Sequence, residues 1–339
     1  MNKTLSRVII GVTLLIIFGV VGRYGYTEYI ARFESAPVAE QAKAVQDMGS
    51  LIMTLKPSVP ANSAAAIYAL TVQNASLKKV DDSHDFYAPA FSSDGRVAVV
   101  ENTGPSSWQL VVAKVSDKEA QLTVVPPAPA IFPGASSWSA GNKFIVYDAV
   151  TALTSADDVA IENSRVILLD TGTGLQKVLD TGVSPVFMKD GSIMYIKPDG
   201  VYRIGSQTIS AATTTTADAP ARVATFDEYQ ATRSARLALS HDENTVIVSL
   251  LQSGGSLAYS VVKGPDFYLS EVGRMAGRAL FPVFSPDDQS IAFIYQTEDK
   301  EGNASKSLAV ADIRTLTMRT VFGLNAYTDE FLSLGAWVK

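Results

Sequence analysis

Apolar residues in this chain are gathered into paired runs, each pair hinged on a short polar turn. Ala88–Phe91 is followed by Ser-Ser-Asp-Gly and then by Val97–Val100. The phrase returns at Ala135–Trp138 with Phe144–Tyr147, at Val183–Phe187 with Ile193–Ile196, at Leu237–Leu239 with Val246–Leu250, and at Leu280–Phe284 with Ile291–Tyr295. A last copy, Leu334–Lys339, stops where its turn should begin. Runs of this length predict strands, and the Asp, Asn, Pro and Gly between them supply the dihedrals of a hairpin turn. Both strands of each pair are nearly continuous in apolar residues, so both of their faces are expected to be covered.

The bulky residue before each turn (Phe91, Trp138, Phe187, Leu239, Phe284, Trp337) recurs roughly every fifty residues, the length of a four-stranded propeller blade. The outer strands are legible too: Gln109–Val115 with Gln121–Val125, Arg165–Asp170 with Leu175–Leu179, Gly200–Ile204 with Gln207–Ser210, Ser256–Val262 with Phe267–Val272, and Lys306–Asp312 with Met318–Phe322. One outer pair, Ala65–Gln73 and Ser76–Val80, has no inner strand, and one inner strand, Phe331–Val338, has no outer pair. Joined, they complete a sixth blade and remove the open sheet edges. The expected fold is therefore all-β, a six-bladed β-propeller over 59–339 closed by pairing of its N- and C-terminal strands.

Phe284-Ser-Pro-Asp-Asp-Gln-Ser-Ile-Ala-Phe, with Phe91-Ser-Ser-Asp-Gly-Arg-Val-Ala-Val, resembles the WD40-like repeat of the TolB-type six-bladed propellers, over roughly residues 60 to 339. Two copies depart from that pattern: Trp138-Ser-Ala-Gly-Asn lacks the Pro-Asp, and Leu239-Ser-His-Asp-Glu-Asn has His for Pro. The resemblance implies the fold; its members include envelope proteins that bind partners and the propeller domains of prolyl-oligopeptidase-type hydrolases, so it leaves function open.

Ahead of the repeats lies a second kind of pattern. Val8–Val21 carries no charge, and Leu5 and Gly22 extend it; Lys3 and Arg7 precede it, and Arg23, Tyr24, Tyr26 and Tyr29 follow. We read 1–30 as a cytoplasmic tip and transmembrane signal-anchor over Leu5–Gly22, with interfacial tyrosines. A cleavable signal peptide is the competing reading. Both put the propeller outside the cytoplasm, in a periplasmic or extracellular setting, with the N-terminus of a single-pass anchor inside. Within 31–58, Val38, Ala42, Val45, Met48, Ile52 and Leu55 recur at helical intervals, which predicts an amphipathic helix over Pro37–Leu55; a strand over Leu51–Leu55 in the closing blade is the alternative.

Composition narrows the chemistry. The 339 residues contain no cysteine and two histidines, and the net charge is −6. Disulfides and thiolate chemistry are out, and no basic excess points to nucleic acid. No Gly-x-Ser-x-Gly elbow, phosphate loop, dinucleotide fingerprint or calcium-loop pattern occurs. His241 occupies a hairpin turn, and His84 sits in a solvated acidic stretch, Asp81–Asp85. Thr213–Thr216 reads as a polar loop between the third and fourth blades. We assign no catalytic residue, no metal and no cofactor. The candidate binding residues are the aromatics and arginines expected on entry loops around one channel mouth: Phe86, Tyr87, Trp138, Arg233, Arg236, Arg274, Arg278 and Glu330. The expected function is non-catalytic binding of a protein, peptide or glycan in the cell envelope. The alternatives are a propeller-type lyase or hydrolase acting on a polymer, and a structural subunit of an envelope assembly.

Overall fold

Ser50–Leu55, the end of the segment with helical spacing, is a strand. In the computed structural model of the protein it becomes β1, hydrogen-bonded on one side to β2 (Ala66–Thr71), which pairs in turn with β3 (Ser76–Asp81). The helical reading of Pro37–Leu55 is thus corrected over its last six residues. Leu51, Met53 and Leu55 alternate at a strand's period and are fully buried, and a ladder on each edge satisfies their backbone. The structure describes residues 49–60, 63–81, 86–104, 107–114, 120–127, 132–151, 161–206, 219–226, 231–232, 234–251, 257–263, 268–275, 277–298, 303–313, 315, 317–328 and 332–338. The proposed anchor, the start of the amphipathic segment and His84 lie outside these residues. Among the described residues no helix is long and apolar enough to cross a membrane.

The rest of the chain repeats one unit. The strands are β4 (Phe86–Phe91), β5 (Arg96–Gly104), β6 (Ser107–Lys114) and β7 (Ala120–Val124), then β8 (Phe132–Trp138), β9 (Phe144–Val150), β10 (Ser164–Asp170) and β11 (Gln176–Thr181). Next come β12 (Val183–Phe187), β13 (Ile193–Lys197), β14 (Gly200–Ile204) and β15 (Ala221–Thr225), then β16 (Arg236–Leu239), β17 (Thr245–Leu251), β18 (Leu257–Lys263) and β19 (Tyr268–Met275). The last full set is β20 (Arg278–Phe284), β21 (Ser290–Glu298), β22 (Ala304–Asp312) and β23 (Met318–Gly323), after which comes β24 (Ser333–Val338). Each run of four forms an antiparallel sheet, and β24 joins β1–β3, so the described residues form six four-stranded sheets. The fourth strand of the β12 sheet is Ala221–Thr225, while Gln207–Ser210 lies outside the described residues. In chain order the threonine-rich insertion therefore falls between the third and fourth strands of that sheet, and not between the third and fourth blades.

Closure is tighter than expected. β24 does not meet β2 directly; β1 lies between them, with Leu51 opposite both Leu70 and Trp337. A short second pairing follows, Pro57 with Tyr327, fixed by Ser58 N–H to Ala326 O at 2.9 Å and Thr328 N–H to Lys56 O at 2.9 Å. An apolar cluster fills the gap between every two consecutive sheets, Leu55, Leu70, Ile294 and Trp337 being members of one and Ile67, Val97 and Val99 of the next. The innermost strands β4, β8, β12, β16, β20 and β24 touch in a closed circuit. This is an all-β propeller fold, with its core divided into wedges between sheets.

The turns explain the repeated phrase. Ser92, Ser240 and Ser285 each donate to an aspartate two residues on, Asp94 (2.5 Å), Asp242 (2.7 Å) and Asp287 (2.6 Å). The same hydroxyls accept the backbone N–H that opens the next strand, from Arg96 (2.8 Å), Thr245 (2.9 Å) and Ser290 (2.9 Å). The turn then needs a left-handed residue, which is Gly95 (φ 82°), Asn142 (φ 55°), Gly191 (φ 81°), Glu243 (φ 60°) and Asp288 (φ 56°) in the five copies. Hydrogen bonds from Arg96, assisted by Ser92, hold the Asp94 carboxyl at about 2, below its ordinary 3.8.

Two outcomes follow. Gly95 has open space around a would-be side chain, so Gly95→Ala should cost about 1 kcal/mol of left-handed strain alone. At Gly335 an added Cβ would stand 2.4 Å from Pro89 O, so Gly335→Ala should cost more, about 2–3 kcal/mol in urea unfolding. Because the Asp94 value is depressed, its contribution is complete above pH ~4 and is lost as pH falls through about 2. The stability gap between wild type and Asp94→Asn should therefore be flat from pH 7 to about 4 and narrow below it.

Candidate functional site

Where the innermost strands converge they leave an axial channel, and five of the six carry a register irregularity. Three of these fall at the same phrase, with Ala88 (φ 48°), Ser184 (φ 53°) and Phe281 (φ 54°) in the left-handed region, each directly before a proline: Pro89, Pro185 and Pro282. A bulge re-aims the strand and leaves backbone groups without ladder partners. Proline at the bulge has no N–H to leave unsatisfied, which suits a wall facing the axial channel.

Hydroxyls from the neighbouring sheet accept further inner-strand N–H groups, at the bulge of β4 and on β12 and β16. Ser333 Oγ accepts Ala88 N–H at 3.0 Å and bonds Thr54 Oγ1 at 2.6 Å. Ser137 Oγ accepts Phe187 N–H at 3.1 Å, and Ser184 Oγ accepts Leu237 N–H at 2.9 Å. Trp138 Nε1–H donates to Ala90 O at 3.0 Å. These bonds stitch inner strand to inner strand around the axis. Ser136 Oγ, on the same wall, is buried with no hydrogen-bond partner among the described residues.

The space is about 340 Å³, is open to solvent, and is lined by all six inner strands. Its two ends differ. At one end the hairpin turns interlock: Asn142 Nδ2 donates to Ser93 Oγ at 2.8 Å, Lys189 Nζ to His241 O at 2.6 Å, and the His241 and Asp242 N–H groups to Asp288 at 2.8 and 3.0 Å. The His241 ring also meets Asp288 through Nδ1 at 2.7 Å.

At the other end, where the inner strands begin, the side chains are aromatic. The Tyr87 ring stands edge-on to Phe281 at 6.2 Å and 83°, and lies 6.3 Å from Phe132. Phe132 packs against Trp108 at 4.6 Å. Tyr87 and Phe281 come from strands β4 and β20, on either side of β24, so the pair bridges part of the mouth. Arg236 lays its guanidinium over Phe281 at 5.0 Å and donates NH1 to Ala235 O at 2.9 Å. Positive φ is costly for a residue as large as Phe, about 1–3 kcal/mol, and here it is the conformation that carries the ring at the bulge.

Of the residues singled out from sequence, Tyr87, Trp138 and Arg236 line this space. Trp138 is buried near the turn end, under the Arg96 guanidinium at 4.7 Å, and its N–H is engaged between sheets; its visible role is structural. Phe86 opens β4 opposite Glu101. Arg278 opens β20 opposite Gln296 and is not on the cavity wall. Arg274 is on β19, the outermost strand of its sheet and not at the inner ring, because the chain must cross from that edge to begin the next inner strand. Arg233 and Glu330 lie outside the described residues. Sequence reasoning missed Phe281, Phe132, Trp108 and the bridging serines. A bulky residue directly before the proline of a repeat, as in Phe281-Pro282, was the available signal.

No family model and no curated protein sequence matches the chain. Its fold is similar to that of solved structures. TolB from Acinetobacter baumannii aligns with a TM-score of 0.59 at 16% identity, covering 85% of this chain and 66% of that one. A putative TolB from Agrobacterium tumefaciens aligns at 0.54 and 14%, covering 86% and 95%. An oligogalacturonate lyase from Vibrio parahaemolyticus aligns at 0.50 and 9%, covering 82% and 80%. At these identities the likeness is one of fold.

Ser333→Ala should remove the acceptor of Ala88 N–H and a partner of Thr54 at once, costing about 1–3 kcal/mol. Thermal unfolding of that variant beside Ser93→Ala, whose bond is exposed, should show the larger loss at Ser333.

Proposed function

We propose that this chain is a membrane-tethered, extracytoplasmic six-bladed propeller that binds a protein or peptide partner in the cell envelope at the aromatic mouth of its channel, without catalysis of its own. The observation that carries this reading is the cluster of Tyr87, Phe281 and Arg236 around an axial space of about 340 Å³. Aromatic rings and arginine are the side chains that dominate binding energy at interfaces, and a concave mouth lets them be desolvated together. The likeness in fold to two TolB structures is consistent with it. The apolar Leu5–Gly22, flanked by basic residues and tyrosines, supports the tether, with the N-terminus inside and the propeller beyond the membrane.

The competing reading is a propeller enzyme acting on a polymer, and the lyase of similar fold is its motive. A structural role through 37–55 has less to draw on, since Ser50–Leu55 is hydrogen-bonded along both edges inside a sheet.

The test is cross-linking of the full-length protein in intact cells, solubilisation, and identification of what is retained. Phe281→Gly removes a ring that also packs against the cluster of Leu55, Leu70 and Trp337, so this variant should lose some thermal stability while still folding, and should retain the partner about tenfold less well. Tyr87→Ala should behave alike in retention. Undiminished retention by both variants would place the partner elsewhere, and depolymerisation of added polygalacturonate by the purified protein would favour the enzyme.

A further inference from the structure

We infer that Asn74, in the turn between β2 and β3, is the acceptor of an N-linked glycan. The inference rests on the extracytoplasmic placement proposed above, since such glycans are carried by surface loops beyond the membrane.

The acceptor pattern is asparagine, any residue but proline, then serine or threonine. It occurs three times: Asn2-Lys3-Thr4, Asn74-Ala75-Ser76 and Asn303-Ala304-Ser305. The pattern alone does not separate them. The tether reading leaves Asn2 on the cytoplasmic side. Ala304 and Ser305 are already strand residues of β22, opposite Glu298 and Thr297 in the ladder. A transferase that needs a bent acceptor would have to peel that strand end away. Asn74 meets no such obstacle. Thr71 and Ser76 are the last pair of the β2–β3 ladder, so Asn74 lies in the turn beyond it. Asn74 and Ser76 are both exposed.

The turn is already bent. Asn74 Oδ1 accepts Ser76 N–H at 3.1 Å, and Ala75 between them is left-handed with φ 53°. This Asx turn folds residue 76 back towards the carboxamide. A carboxamide nitrogen is a poor nucleophile, because its lone pair is delocalised into the carbonyl. A hydroxyl brought back by the turn can accept a bond from Nδ2–H and hold the nitrogen towards an incoming sugar. Asn102 is the natural control. Its Oδ1 accepts Gly104 N–H at 2.9 Å in the same kind of turn, but position 104 carries no hydroxyl. Among the described asparagines, turn, exposure and hydroxyl coincide at Asn74.

The transfer balances without any change of oxidation state. Asn74 Nδ2 bonds to the anomeric carbon of an oligosaccharide carried on a polyprenyl diphosphate. The bond from that carbon to the diphosphate oxygen breaks, and the lipid diphosphate leaves with its electron pair. One Nδ2 proton passes to a base of the transferase. A bulky hydrophilic group at this end of β3 would also shield the outer edge of its sheet from pairing with another chain.

The experiment uses full-length protein purified from the membranes of its own cells. Intact-peptide mass spectra read any attached sugar. Treatment with a glycosylasparagine amidase in heavy-oxygen water then turns each modified asparagine into a labelled aspartate. Asn74 should carry the glycan and acquire the label, while Asn102 and Asn303 stay unmodified. Ser76→Ala should lose the modification and Ser76→Thr should keep it. Both variants retain the N–H that closes the turn, so both should melt as wild type does. An unmodified Asn74 in wild type, modification surviving in Ser76→Ala, or Asn303 modified as fully as Asn74 would each overturn the inference. A membrane-impermeant amine reagent, applied to cells whose cytoplasmic membrane is intact, separates the two failures. Reaction at the exposed Lys78 with Asn74 unmodified leaves the placement standing and removes the glycan. No reaction at Lys78 removes the placement and the glycan with it.

Discussion

Everything in this molecule depends on β1 having two partners. Each sheet presents apolar residues on both faces, and each face is covered only by the next sheet in the circuit. Such a sheet is unstable alone and unstable at the end of a row, since its last face would be left in water. The circuit is completed when a strand from the start of the folded region, Ser50–Leu55, slots between the last strand and Ala66–Thr71. Trp337, Leu51 and Leu70 then stand side by side in one buried layer. Closure is therefore a packing requirement and a hydrogen-bonding requirement at once.

The channel is a consequence of that ring, and its chemistry follows from the way the inner strands bend to meet. Bulges turn the strands, prolines remove N–H groups that bulges would strand, and hydroxyls from neighbouring sheets accept other inner-strand N–H groups, that of Ala88 at a bulge among them. The candidate site uses the same device. At Ala88 and Ser184 the left-handed residue is small; at Phe281 the same backbone position carries a large ring, and that ring meets Tyr87 and Arg236. One substitution of size within a repeated structural feature is enough to make one mouth different from the other.

The two ends of the channel accordingly suit different tasks. The turn end is held by carboxylates and backbone groups that satisfy each other across sheets, as Asp288 does for His241 and Asp242. The aromatic end is held by ring contacts and a stacked guanidinium, interactions that tolerate exchange of partners better than a saturated hydrogen-bond network does.

By itself the sequence determined the all-β class, the repeat length, the hairpin at each Asp-Gly or Asn turn and nearly every outer strand, because those depend on local periodicity and on dihedrals that few residues tolerate. It also marked Tyr87 and Arg236, since aromatic and arginine residues at strand entries stand out against a repeat. Tertiary structure alone decided which segment closes the ring. Ile52 and Leu55 fit a helical stripe and Leu51, Met53 and Leu55 fit a strand, and only the free edges of β24 and β2 choose between them. It likewise decided that Ala221–Thr225 finishes its sheet, that Trp138 ties two sheets together, and that Phe281, anonymous in an apolar run, stands at the mouth. Those outcomes turn on contacts between residues from about twenty to nearly three hundred positions apart, and no local pattern encodes them.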